Sequence, residues 1–165
     1  MGRKKYVNAD AKLRPDPRYG DRSVSRFINC IMFDGEKATA QRIVYDAFDL
    51  IEAKLAKETD PAAPKAAIDL YQRAMQNVQP FVEVRSKRIG GANYQVPMQV
   101  NRKRQMSLAI RWILDACRSE RGRPMAQRLA EELYNAAKGE GKAMGTRDQT
   151  HKMAEANRAF AHFAN

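Results

Sequence analysis

His151 and His162 are the only two histidines of a 165-residue chain, and a histidine pair is where metal or acid–base chemistry would begin. Read in one helical register they stand ~16 Å apart at 1.5 Å per residue, too far to share an ion. Cys30 and Cys117 are the two cysteines. Both lie inside apolar helical patterns, so buried free thiols are expected in place of a disulfide framework or a four-ligand metal site. Asp46, Asp49 and Glu52 share the polar face of an amphipathic stretch with Arg42, which reads as a salt-bridged surface and not as a catalytic carboxylate pair. Gly90-Gly91 separates two alternating segments, whereas a phosphate-binding glycine loop joins a strand to a helix. No enzyme, metal or cofactor is expected.

The chemistry that remains is cationic. Thirty Lys and Arg against nineteen Asp and Glu leave +11, a surplus that points to a polyanion. Residues 1–20 carry six bases (Arg3, Lys4, Lys5, Lys12, Arg14, Arg18) and two acids, and residues 85–104 carry six (Arg85, Lys87, Arg88, Arg102, Lys103, Arg104) and none. Those two segments hold ten of the eleven surplus charges. Arg104, Arg111 and Arg118 recur every seven residues, which stacks them along one helix side. Arg147, His151, Arg158 and His162 follow spacings of four, seven and four, and Lys152 adjoins them, giving a second basic stripe. Such groups hold a folded polyanion by its phosphates. Tyr94 and Trp112 could stack on bases, but their apolar settings point to packing.

These cations need a scaffold, and the chain is one domain's worth, able to bury about 70% of its unfolded surface. It is 44% hydrophobic and 30% charged, as a globular core under a charged shell requires. The longest apolar run is residues 30–33, far short of the ~20 that cross a bilayer. The basic start is followed by Asn8, Asp10 and Lys12, unlike a secretion signal, so a cytoplasmic location is expected.

Residues 1–20, with Pro15, Pro17 and Gly20, read as a basic extended arm, and residues 21–165 as one helical domain. Asp21 caps a first helix bearing Val24, Phe27, Ile28, Ile31 and Met32, stopped by Asp34-Gly35. A second carries Ile43, Val44, Ala47, Phe48, Ile51 and Leu55 for nearly five turns. Pro64 opens a third, with Ala67, Ile68, Tyr71, Met75 and Val78 inward, ending before Pro80.

Alternation in residues 82–85 and 94–100 around Gly90-Gly91 predicts a β-hairpin at about 81–100. A two-residue turn would set Val84 opposite Pro97 and split the apolar rows between faces, so an odd loop or bulge is expected, with a basic tip mobile until it is bound. A fourth helix spans Arg102–Ser119, lined by Met106, Ala109, Ile110, Ile113, Ala116 and Cys117. A fifth starts near Pro124 with Ala126, Leu129, Ala130, Leu133 and Ala137. The run Thr146-Arg147-Asp148-Gln149 fits a capping box opening a sixth, with Met153, Ala156, Phe160 and Phe163 as its core face. The fold class is mainly α: six helices with a protruding hairpin between the third and fourth.

Several stretches carry a family resemblance: Pro15-Asp16-Pro17-Arg18-Tyr19-Gly20-Asp21, Phe27-Ile28-Asn29 leading to Asp34-Gly35-Glu36-Lys37, and Val82-Glu83-Val84-Arg85-Ser86-Lys87-Arg88-Ile89-Gly90-Gly91. Met125-Ala126-Gln127-Arg128-Leu129-Ala130 and Thr150-His151-Lys152-Met153-Ala154-Glu155-Ala156-Asn157-Arg158 extend it. The chain resembles the bacterial small-subunit ribosomal proteins of the S-seven family. The resemblance implies binding to the 3′ major domain of small-subunit ribosomal RNA, nucleation of head assembly, and a hairpin near the tRNA exit site and messenger path. Partners would be that RNA, neighbouring head proteins, tRNA and mRNA, without a membrane. It places RNA contact on Arg85, Lys87, Arg88, Arg102, Lys103 and Arg104. Glu36 and the segment 141–149 depart from the family pattern, which has a lysine after the glycine and a more basic lead into the last helix. The runner-up reading is an architectural DNA-binding protein with a basic β-arm.

Overall fold

The computed structural model describes residues 12–58 and 64–164. Six α-helices and one hairpin follow in the expected order: α1 Arg22–Ile31, α2 Lys37–Leu55, α3 Ala67–Val78, β1 Val82–Ile89, β2 Ala92–Gln99, α4 Arg102–Ser119, α5 Met125–Lys138 and α6 Lys142–Ala156. A 3₁₀ segment, Arg158–Ala164, completes the described chain. Each helix buries one stripe, and α5 lies at the centre against α2, α3 and α4. Phe27, Phe48 and Tyr71 meet in its core, Phe27 and Tyr71 edge to face with centroids 5.6 Å apart. The Tyr71 hydroxyl reaches Ser23 Oγ at 2.8 Å, so the largest buried side chain keeps a hydrogen bond.

Local signals explain several boundaries. Asp21 caps α1 by accepting from the Ser23 N–H, and Asn101 caps α4 by accepting from the Arg104 N–H. Gly139, in the left-handed region, closes α5, and Asn77 donates to the Ala136 and Ala137 carbonyls. Pro64 does not open α3, which starts three residues later at Ala67.

The last helix departs further from expectation. It begins at Lys142, a turn before the capping box, because buried Glu132 of α5 accepts from the Ala143 N–H at 2.8 Å and caps it from outside. Thr146 is therefore a helix-interior residue whose hydroxyl bonds back to the Lys142 carbonyl. The segment 141–149 is thus the start of α6, not a lead into it. The buried face is Ala143, Met144 and Ala154, whereas Met153 and Ala156 are exposed and Phe160 and Phe163 belong to the 3₁₀ segment. Cys30 also differs: it is exposed, one position before buried Ile31, and only Cys117 is a buried thiol, its pKa pushed up to about 12 by burial.

The hairpin uses a two-residue turn without a bulge. Gly90 and Gly91 both have positive φ, and Val84 faces Pro97. The apolar rows do lie on opposite faces, and the body takes the face of β2 that carries Tyr94, Val96 and Met98, with Glu83, Arg85 and Lys87 opposite them on β1. Tyr94 packs on Phe160 and Phe163, so the 3₁₀ segment supports the hairpin from below.

Candidate nucleic-acid interface

Burying that face of β1 puts a carboxylate where an apolar residue was expected. Glu83 is only 7% exposed, and a lone charge there would be costly. Two arginines compensate: Arg85 Nε donates to Oε1 at 2.6 Å, and Arg104 Nε donates to Oε2 at 3.1 Å. The pair of bonds ties the hairpin root to the first turn of α4. Arg88, near the turn on the other face of β1, and Arg102, at the start of α4, are exposed with no ion-pair partner among the described residues, and Lys103 is exposed beside Arg102. Lys87 donates to the Phe163 carbonyl at 2.8 Å, pinning the hairpin to the 3₁₀ segment.

The described part of the arm is not extended. It folds around buried Asp16, whose Oδ2 accepts from the Arg18 and Tyr19 N–H groups at 3.0 Å and whose Oδ1 accepts from the Tyr45 hydroxyl at 2.9 Å. Tyr19 stacks edge-on against Phe48. Arg18 pairs with Asp49, whose hydrogen bond raises the guanidinium pKa above its usual value, so the acidic face of α2 takes its partner from the arm and not from Arg42. Lys12 and Arg14 stay exposed and, with Lys37, rim a cleft of about 390 Å³ between the arm, α1 and α2. Arg3, Lys4 and Lys5 lie outside the described residues.

The two stripes fare differently. Along α4, Arg104 is held by Glu83, Arg111 is exposed, and Arg118 lies 4.4 Å from the Phe33 ring centroid while donating to the Ile31 carbonyl. The other stripe is broken where α6 ends. Arg147 turns inward to the Asn77 carbonyl and to Asp148. His151 Nε2 accepts from the Phe81 N–H at 3.2 Å, its rings stacked on Phe81, and burial followed by Arg147 lowers its pKa. Lys152 is exposed on α6, and Arg158 and His162 are exposed on the 3₁₀ segment.

Charge counting misses three other surface features. Phe33 and Phe81 are 64% and 72% exposed, outside every helical or strand period. Lys37 completes the arm cleft. A second cleft, of about 440 Å³, lies between α1, α3 and the start of α4. Gln72, Gln76 and Gln79 line it at helical spacing, faced by Gln105, and that spacing was visible in the sequence. Among the described residues there is no group of His, Cys, Asp and Glu that could hold a metal ion, and no helix is long and apolar enough to cross a membrane.

The chain matches, over residues 3–158, the family described as Ribosomal protein S7p/S5e. It is 52% identical over 164 residues to the small ribosomal subunit protein uS7 of Rhodopirellula baltica, covering 99% of each chain. The protein of that name from Fervidobacterium nodosum is 52% identical over 151 residues, 92% of each chain. That of Thermotoga neapolitana is 49% identical over 152 residues, 92% of this chain and 93% of the relative. A helical body whose basic hairpin is tied at its root to the fourth helix, matched nearly end to end, belongs to the S7p/S5e family of structural ribosomal proteins, a constituent of the small subunit and not an enzyme class.

Proposed function

We propose that the chain binds small-subunit ribosomal RNA by setting its exposed cations on the phosphates of a folded junction in the 3′ major domain, and that this nucleates assembly of the subunit head. The observation that carries the reading is the Glu83 bridge. It fixes the hairpin root against α4, so the strand that carries Arg88 and the helix start that carries Arg102 and Lys103 hold a set relative position. Lys12 and Arg14 at the arm cleft and Arg111 on α4 extend the exposed charge. Folded RNA is read largely by its shape and backbone, which suits a preorganised charged surface without a catalytic pocket. Head proteins are its neighbours, the hairpin lies near tRNA and mRNA at the exit site, and the protein works in the cytoplasm as part of the ribosome.

The test is a salt series with the full chain and a transcript of the 3′ major domain. Six exposed cations, each displacing condensed ions, give a log–log slope of roughly −4 to −5. A slope near zero, or equal affinity for duplex DNA at matched salt, overturns the reading.

A further inference from the structure

We infer that the cleft between α1, α3 and the start of α4 receives one unstacked adenosine nucleotide, an inference that rests on the RNA-binding reading above. At about 440 Å³ the cleft is on the scale of sites that hold a small ligand. Its lining is unusual for a surface with this much charge: four glutamines, two methionines, one serine, one aspartate and one arginine. Gln76, Gln79 and Gln105 make no side-chain hydrogen bond among the described residues. Gln72 is held, donating to Asp21 Oδ2 at 3.1 Å.

A side-chain amide offers one acceptor and one donor in a plane. That pair matches the N6 amino group and N7 of adenine, whereas guanine presents two acceptors on the same edge and calls for arginine or lysine. Met106, half-buried at the cleft, supplies polarizable apolar surface on which a flat base can lie. Arg102 lies at the first turn of α4, where the helix dipole also favours negative charge, and it is exposed. Asp21, engaged by the Ser23 N–H and by Gln72, lies on the α1 side of the cleft. A phosphate is therefore drawn to the Arg102 end and repelled from the Asp21 end, which orients the nucleotide along the cleft. Single-stranded RNA recognition works by such splayed bases read on their edges.

The test has two arms. In the first, the isotopically labelled full chain is titrated with AMP, GMP, CMP and UMP, and the side-chain amide resonances of Gln76, Gln79 and Gln105 are followed. AMP should move them, and move them more than the other three. Equal shifts with all four, or none with AMP, overturn the inference. In the second, Gln76→Leu and Gln105→Leu, both at solvent-accessible positions, are compared with the wild type on the 3′ major domain transcript. Each should weaken binding about tenfold with the salt slope unchanged, because no phosphate contact is lost. Arg102→Ala should instead flatten the slope by roughly 0.7 to 0.9. Leucine variants that bind as tightly as the wild type overturn the inference. A wild-type chain that ignores the transcript overturns the proposed function alone, since the AMP titration decides the cleft by itself.

Discussion

Replacing Glu83 by Gln should make the protein less stable and a more salt-sensitive RNA binder at once. The carboxylate side chain is 10% exposed, whereas its partners Arg85 and Arg104 are 55% and 38% exposed. Each arginine can therefore turn to water once the charge is gone, and the large penalty of a stranded buried ion does not arise. Glutamine keeps one acceptor oxygen, so one of the two bonds survives in neutral form. The loss is about 1–2 kcal/mol, which for a chain of this length lowers Tm by roughly 2 to 8 °C. Meanwhile one guanidinium group becomes available to phosphates. When it engages, the log–log salt slope steepens by about 0.7 to 0.9, and affinity at low salt rises. Calorimetric melting reads the first effect, and filter binding across a salt series reads the second. A variant that melts lower while binding with an unchanged or shallower slope would show that Glu83 serves only to hold the hairpin, and that its arginines are never handed to RNA.

Three further outcomes follow from other contacts. Asp16→Ala removes the acceptor for the Tyr45 hydroxyl proton and for two backbone N–H groups, leaving Tyr45 only the bond it accepts from Gln41, and chemical denaturation should show a loss of about 2–3 kcal/mol with helix content retained. Gly141 has φ +102° and a Cβ there would lie 2.9 Å from Glu132 Oε1, so Gly141→Ala should cost about 1–3 kcal/mol, while Gly145→Ala, in open space within α6, should stabilise by about 0.5–1 kcal/mol in the same melts. His151 resists protonation in the folded chain through burial and Arg147, Asp148 opposing them, while the unfolded chain takes up the proton near pH 6.5. Its contribution is therefore complete above that pH and is lost as the pH falls toward and through the lowered folded value. His151→Gln should remove this acid-side drop in Tm; an unchanged pH profile would refute it.

Helix existence and most core faces were legible because the apolar spacing and the first cap are local. Asp21 sits next to the turn it opens, and the heptad-like cores of α4 and α5 repeat without interruption. What failed to show depends on contacts across the fold. Thr146 and Gln149 satisfy a capping box, yet a carboxylate from another helix had already started α6 a turn earlier. A two-residue hairpin turn splits the apolar rows and turns Glu83 toward the body, which becomes tolerable only because Arg104 arrives from twenty-one residues away. The cations divide likewise. Arg88 and Arg102 cannot be told from Arg18, Arg118 and Arg147 by type or spacing, and only the folded chain shows that the last three are occupied by Asp49, Phe33 and Asn77. The glutamine row needed no tertiary knowledge to see, but a search led by charge passes over neutral amides.

The aromatic floor beneath Tyr94 also sets a schedule for synthesis. Phe160 leaves the translating ribosome about 66 residues after Tyr94, a delay of roughly 3 to 13 s at bacterial elongation rates. Through that interval the nascent strands wait with one side uncovered, and the newborn polypeptide cannot seat its finger until the final turns have emerged.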